Sequence, residues 1–328
     1  EHNFARTAVH AELLRLSAAR RSEGRSVLTV FDEVEITSAA IAQVLGLGRL
    51  QPLLEDDDIS DIHVRGNSVV WVKLRNGERE MREPIVETDD ELIELVRRAA
   101  TRLSRQERRF DAGTPELNMQ LPDGSRLFAT MDVSLRPSLV IRRHRFEISS
   151  LKELQLRGML TPELQDFLGA AVRARRNIVI AGGTGSGKTT LLRALINEIP
   201  VFERLVTIED AYELGLDHFE HLHPDHDSLQ SRPANVEGQG EITLADLTRM
   251  ALRMDPDRVI VGEVRGAEAF PMLMAMSQGN NGSMCTMHAD STRSVFPKLA
   301  AYMSMASTGL PLDTINLLLS SALHFVVY

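Results

Sequence analysis

The sequence predicts an α/β chain in which a mixed α+β module precedes a C-terminal domain of alternating strands and helices. Three observations carry that expectation. In the C-terminal half, short apolar runs ("NIVIAG", "ERLVTIED", "DRVIVGEV", "GSMCTMHA") alternate with helical patterns, and runs apolar nearly throughout suit parallel strands buried on both faces. Upstream, "DIHVRGNSVVWVKLRNGERE" alternates apolar and polar residues, as half-buried antiparallel strands do. The first of the C-terminal runs opens onto a glycine-rich loop, "AGGTGSGKTT", which leads straight into a helical pattern.

From the amino end, residues 4–21 place Phe4, Val9, Leu13, Leu14 and Leu16 at helical spacing until "RSEGR" breaks the pattern. A second amphipathic helix is expected near residues 32–45, ending at Gly46 and Gly48, so that 1–48 forms a helical extension. Its cluster Arg15, Arg20, Arg21 and Arg25 reads as a solvated face, with a partner or membrane dock as the alternative.

Residues 49–146 read as the α+β domain. Asn76-Gly77 marks one hairpin turn and Asp123-Gly124, in "ELNMQLPDGSRLFATM", a second. Between them "ETDDELIELVRRAATRL" is a helix whose Thr88 and Glu91 have capping-box spacing, and "LVIRRHRF" closes the segment with a strand. A polar connector, "EISSLKELQLRGML", contains the linker, 147–158. Thr161-Pro162 then starts a helix, and the α/β domain occupies 159–328. No internal repeat or low-complexity tract is visible.

Composition narrows the setting. A single cysteine, Cys285, allows no internal disulfide and suits a reducing, cytosolic compartment. A net charge of −9 argues against coating nucleic acid, which needs a basic face. The tail "INLLLSSALHFVVY" is too interrupted to span a membrane, and the amino end lacks a signal-peptide core. The absence of an initial methionine suggests a trimmed fragment.

The glycine loop is the strongest chemical signal. Gly182, Gly187, Lys188 and Thr189 satisfy G-x-x-x-x-G-K-[ST], in the required order of strand, loop and helix. Gly183, Thr184, Gly185, Ser186 and Gly187 let the chain curl until its N–H groups face phosphate oxygens. Lys188 is placed to reach the β- and γ-phosphates and Thr189 to ligate Mg²⁺, and Thr190 joins the nucleotide-binding set. No asparagine is followed by lysine, so the Asn-Lys-x-Asp signature of guanine recognition is missing and ATP is the expected nucleotide.

Hydrolysis also needs groups that orient water and hold the metal. "LVTIEDAYEL" delivers Glu209 and Asp210 at a strand end, and "DRVIVGEVRG" delivers Glu263, with Arg265 close by. In a parallel sheet those ends share an edge with the phosphate loop. "GSMCTMHADS" brings His288 to the same edge as a γ-phosphate contact, while Cys285 reads as a small core residue. His218, His221, His223 and His226 lie close together in "DHFEHLHPDHD", but their spacing fits no structural zinc pattern and a polar surface loop is expected.

Together these motifs resemble the type II/type IV secretion-system ATPases, most closely the branch that powers tight-adherence (Flp-type) pilus assembly. The resemblance runs from "GLGRLQPLLEDDDISDIHV" to the end. It rests on the Walker A loop "GGTGSGKT", an Asp box in "TIEDAYEL", "SRPANVEGQG", the Walker B-like "RMDPDRVIVGEVRGAEA" and a His box in "GSMCTMHADS". It implies a RecA-like P-loop ATPase domain behind the α+β N-terminal domain, and a homo-hexamer with ATP and Mg²⁺ bound between domains. It further implies that Glu209 and Glu263 act on the attacking water and metal, and that His288 senses the γ-phosphate. Arg126 in "PDGSR" and Arg142 in "LVIRRHR", with Arg143 as a neighbour, match arginines that the N-terminal domain supplies to the phosphates. Inner-membrane platform proteins of a pilus or secretion machine are the implied partners, at the cytoplasmic face. Relatives continue beyond "LHFVVY".

Two departures stand out. Gly262-Glu263 occupies the place where many P-loop ATPases carry Asp-Glu, and Gln278-Gly279-Asn280 replaces a Thr-Gly-His stretch common among relatives. Two other functions fit less well. A RecA-like nucleic-acid translocase of the conjugation or DNA-transfer kind sits poorly with the acidic charge and the additional N-terminal domain. A small-molecule kinase sits poorly with the chain length and the acid-bearing strands.

Overall fold

The computed structural model describes residues 2–24, 26, 28–103, 109–143, 150–235, 237–306 and 309–328. Arg25 of the basic cluster and residues 144–149, which hold the end of "LVIRRHRF" and the start of the connector, lie outside them. The chain divides into two compact units, Glu1–Arg145 and Phe146–Tyr328.

The first unit opens with helices α1 (His2–Ser22) and α2 (Val30–Leu45). Thr29 caps α2 in a reciprocal box with Asp32. Beyond them, a short helix α3 (Gln51–Glu55) leads into a six-stranded antiparallel sheet: β1 (Ile59–Arg65), β2 (Val70–Leu74), β3 (Arg79–Arg82), β4 (Glu116–Gln120), β5 (Arg126–Thr130) and β6 (Ser138–Arg142), in the order β3-β2-β1-β6-β5-β4. One face packs Ile62, Val72, Leu127, Leu139 and Ile141 against Leu92, Leu95 and Val96 of helix α4 (Asp89–Leu103). Glu91 N–H bonds to Thr88 Oγ1 at 3.2 Å, but the Glu91 carboxylate reaches back to the N–H of Glu87, one residue beyond the box.

Both predicted hairpins form, and both turn at the expected residues. In each, the glycine (Gly77, Gly124) closes an i→i+3 turn in a left-handed conformation, and the strand resumes with a backbone pair, Leu74 to Glu78 and Leu121 to Ser125. This is the three-residue loop with a glycine bulge rather than the two-residue Asn-Gly turn.

The sheet's other face carries two parallel rows that cross all six strands. Met81, Trp71, His63, Val140, Phe128 and Asn118 stand opposite one another in register. Two residues along, so do Arg79, Lys73, Asp61, Arg142, Arg126 and Gln120.

In the second unit a fully parallel sheet runs β12-β7-β11-β10-β8-β9, with β7 (Ile178–Gly182), β8 (Leu205–Glu209), β9 (His226–Gln230), β10 (Arg258–Val261), β11 (Met284–His288) and β12 (Phe325–Val327). On one face Ile178, Ile180, Ile260 and Met284 meet α5 (Leu151–Leu156), α6 (Pro162–Arg173) and α7 (Lys188–Ile196). On the other, Val179, Ile208, Val261 and Met287 meet α8 (Leu244–Ala251), α9 (Ala269–Ser277), α10 (Thr292–Met305) and α11 (Leu312–Ala322). Two cores on one sheet explain why the central strands are apolar nearly throughout. Cys285 lies in the second core, where burial pushes its thiol up to about 12. α5 forms within the polar connector.

β9 and β12 were not expected. β9, "HDSLQ", sits at the sheet edge, is half-buried throughout and carries no apolar run. It starts inside the histidine cluster, where His226 spans the His223 carbonyl (2.7 Å) and the Asp217 carboxylate (2.8 Å). Among the described residues no group of three or more His, Cys, Asp or Glu is arranged to hold a metal, and no helix is long and apolar enough to cross a membrane.

At the sheet's amino edge, the buried Asn177 amide joins four segments. Its Nδ2 donates to Met276 O (2.8 Å) and Ala322 O (2.7 Å), and its Oδ1 accepts from Gly282 N (2.7 Å). Asn177→Ala strands two carbonyls and one N–H away from water. We expect a loss of about 3 kcal/mol, read as a fall of roughly 6–12 °C in the unfolding temperature of this unit. A fall under about 2 °C would show that the edge is held by other contacts.

Candidate active site

Four strands of the second unit end at one edge. Gly182 closes β7; His288 stands beside it on β11 in register; Gly262-Glu263 follow β10; and Glu209 closes β8. The loop 183–187 rises from that edge and α7 starts at Lys188.

The sequence allows this loop only with glycine at its two ends. Gly182 has φ +158°, and a Cβ there would stand 2.5 Å from Ser186 Oγ. Gly187, at φ +90°, would place one 2.8 Å from Met159 Cε. Gly187 also leaves α7 without a side-chain cap, whereas Thr29, Thr161, Thr243 and Ser291 cap α2, α6, α8 and α10. The first N–H groups of α7 and the positive end of its dipole are therefore left for an anion. Gly183, Thr184, Gly185 and Ser186 are exposed around that end, Thr189 is half-buried on the first turn, and Thr190 points to solvent.

Lys188 folds back over the loop. Its Nζ donates to Gly183 O at 2.7 Å and lies 3.4 Å from His288 Nδ1. His288 Nε2 in turn lies 2.9 Å from Glu263 Oε1. A neutral imidazole protonated on Nε2 satisfies both contacts, since Nδ1 accepts from the ammonium and Nε2 donates to the carboxylate. Partial burial lowers the Lys188 pKa, and the charge of Glu263 opposes that shift.

Glu209 is different in kind. It is 3% exposed, and its Oε2 accepts the N–H groups of Glu213 (2.7 Å) and Leu214 (2.8 Å). Oε1 is buried with no partner among the described residues. Burial raises its pKa from 4.5 to about 7 against the pull of those two N–H bonds. Gly262 faces it, and a Cβ there would come within 3.2 Å of Glu209 Cγ. That is a physical reason for glycine where an Asp-Glu pair stands in other P-loop ATPases: the Glu209 side chain occupies the space.

The next layer was only partly visible in the sequence. Asp210 pairs with Arg265 (2.9 Å) and accepts from Ser231 Oγ (2.8 Å), while Ser231 N–H bonds to Glu209 O. The turn after β8 is thereby tied to the turn after β10 and to the segment that begins "SRPANVEGQG". Asn280 lies elsewhere: its amide bonds to Pro256 O, ahead of β10, on the sheet's amino side.

Arg126 and Arg142 belong to the first unit, where they stand directly opposite each other on β5 and β6. Arg142 Nε is 3.5 Å from Asp61 Oδ1. Arg143 is engaged otherwise, its guanidinium bonding to the carbonyls of Asp56 and Ile59.

Residues 43–327 match a protein family described as "Type II/IV secretion system protein". The chain is 37% identical over 268 residues to a putative conjugal transfer protein of Mycobacterium tuberculosis (strain CDC 1551 / Oshkosh), covering 79% of this chain and 73% of that one. It is 32% identical over 332 residues to the type IV secretion system protein VirB11 of Brucella suis biovar 1, covering 93% and 90%. Among solved structures, the pilus retraction motor PilT with bound ADP superimposes with a TM-score of 0.60 at 20% identity, covering 85% of this chain and 76% of that one. The ATPase DotB of Legionella pneumophila does so with 0.59 at 19%, covering 84% and 73%. Both likenesses show the fold, a RecA-like ATPase domain behind an N-terminal domain. On the family match and these identities, the chain belongs to the type II/IV secretion system protein family.

Proposed function

We propose that this chain, an ATPase of its family, is the hexameric motor of a pilus-assembly or protein-secretion machine of the tight-adherence (Flp-type) branch. It docks as a peripheral protein on inner-membrane platform proteins at the cytoplasmic face. The observation that carries the reading is the linked set Lys188–His288–Glu263 beside an uncapped helix end, with Glu209 on the next strand along the same edge.

In this reading the triphosphate takes the N–H groups of residues 183–190, and Lys188 exchanges the Gly183 carbonyl for the β- and γ-phosphates. His288 then loses its partner on Nδ1 while still holding Glu263, so nucleotide occupancy is relayed to that carboxylate. The residues fit a divalent cation, because Glu209 Oε1 is buried with no hydrogen-bond partner among the described residues. Thr189, Glu209 and Glu263 would hold Mg²⁺, directly or through water, and the ion would neutralise phosphate charge. Glu209 and Glu263 orient the attacking water, and one of the two takes its proton. Arg126 and Arg142 complete the site; such a cation is typically worth 10³–10⁵ in rate, about 4–7 kcal/mol. Movement of the N-terminal domain then gates hydrolysis. The acidic net charge of −9 speaks against nucleic acid as a partner.

ATP turnover per subunit measured against protein concentration tests the ring: activity should climb with assembly, and full activity in a dilute monomer would rule the ring out. Glu209 supplies a pH test. Its folded-state pKa, about 7, lies above the ordinary 4.5, so the stability it contributes is fully present below about pH 4.5 and is lost as pH rises through 7. Nucleotide-free Glu209→Gln should therefore be more stable than the parent at about pH 8, by up to about 3 kcal/mol, and the gap should close near about pH 4. The same variant should lose turnover at every pH. Melting curves that stay parallel across that range would show that Glu209 is not buried as described.

A further inference from the structure

On the outer face of the first unit's sheet, Arg142 and Arg126 are direct cross-strand neighbours, as are Arg142 and Asp61 on the other side. Like charges directly opposite each other on a sheet repel. A carboxylate thus stands next to a pair of guanidiniums in the row Asp61–Arg142–Arg126. Asp61 is set in place from beneath: Ser60 Oγ lies 2.8 Å from Asp61 Oδ2 and 3.0 Å from Lys73 O, which leaves Oδ1 to face Arg142 Nε at 3.5 Å. The two side chains differ in exposure. Asp61 is 16% exposed and Arg142 58%, so the carboxylate is the more enclosed member and the guanidinium the more accessible one.

We infer that Asp61 is a positioning residue for Arg142. It holds Nε from the sheet side, offsets the repulsion from Arg126, and leaves the terminal nitrogens of Arg142 aimed outward for an anion. A guanidinium can do both at once because its five N–H donors form a rigid fork. The inference rests on the proposed role of Arg142 at the phosphates. Without the carboxylate, two adjacent cations would splay apart, and Arg142 would have to be ordered again in every turnover. The loss therefore falls on kcat, while ATP affinity, set by the phosphate loop, is little changed.

The test is a double-mutant cycle in ATP turnover with the full chain: parent, Asp61→Asn, Arg142→Ala and the double variant. Asp61→Asn keeps the side-chain volume and an oxygen for the Ser60 hydroxyl. We expect it to lower kcat about tenfold with KM for ATP within about twofold, and to change kcat less than about twofold when Arg142 is already alanine. Asp61→Glu, which restores the charge, should recover part of the loss. An unchanged or raised kcat in Asp61→Asn would overturn the inference. So would an equal loss in both backgrounds, or a loss in Asp61→Glu as large as in Asp61→Asn, since either would mark a structural effect. Arg142→Ala with undiminished turnover is a separate outcome: it removes Arg142 from the site and takes the inference with it.

Discussion

An unfilled demand for negative charge organises the ATPase unit. Helix α7 begins on a glycine that offers no cap, its first N–H groups open toward the loop, and Lys188 Nζ meets the Gly183 carbonyl and the His288 imidazole. In water such a surplus of donors would cost little, but here Lys188 is partly buried and its charged form is already disfavoured. A phosphate chain answers all of these donors together. The sheet is what brings them there: parallel strands packed on both faces end along a single edge, from which the loop and α7 rise.

Around that demand the acids are arranged unequally. Glu263 is half-exposed and tethered to His288, so it can respond to what Lys188 does. Glu209 is sealed under the turn that follows β8, with one oxygen bonded to two N–H groups and the other left bare. A carboxyl near its midpoint at neutral pH is suited to exchanging a proton with water, and a nearby cation would draw it to the ionised form. Gly262 is part of the same arrangement, because any larger residue there would press on the Glu209 side chain. Environment, more than residue type, distinguishes the two glutamates at neighbouring strand ends.

Much of this was legible in the sequence because it is local. The phosphate loop is defined within eight residues, and the buried strands show themselves as runs apolar nearly throughout. Glu209, Glu263 and His288 are each the residue at or just after a strand end. What stayed hidden depends on pairing between distant segments. β9 carries no apolar run because an edge strand needs none, and β12 is three residues long. The Asn-Gly and Asp-Gly turns were placed correctly, but their geometry followed from where the strands resumed pairing. The orphaned oxygen of Glu209 depends on how the chain turns at Glu213 and Leu214. The row that sets Asp61 beside Arg142 and Arg126 comes from the register of three strands, of which β1 and β6 lie almost eighty residues apart in sequence.

Equilibrium binding of ATP in the presence of magnesium, followed by calorimetry on the parent chain and on Lys188→Ala, tests the central claim most directly. Saturable binding of one nucleotide per chain is predicted, weakened about ten- to a hundredfold by the substitution, as expected for a charge-assisted contact to phosphate. Equal affinity in the two proteins, or no binding by the parent, would contradict it.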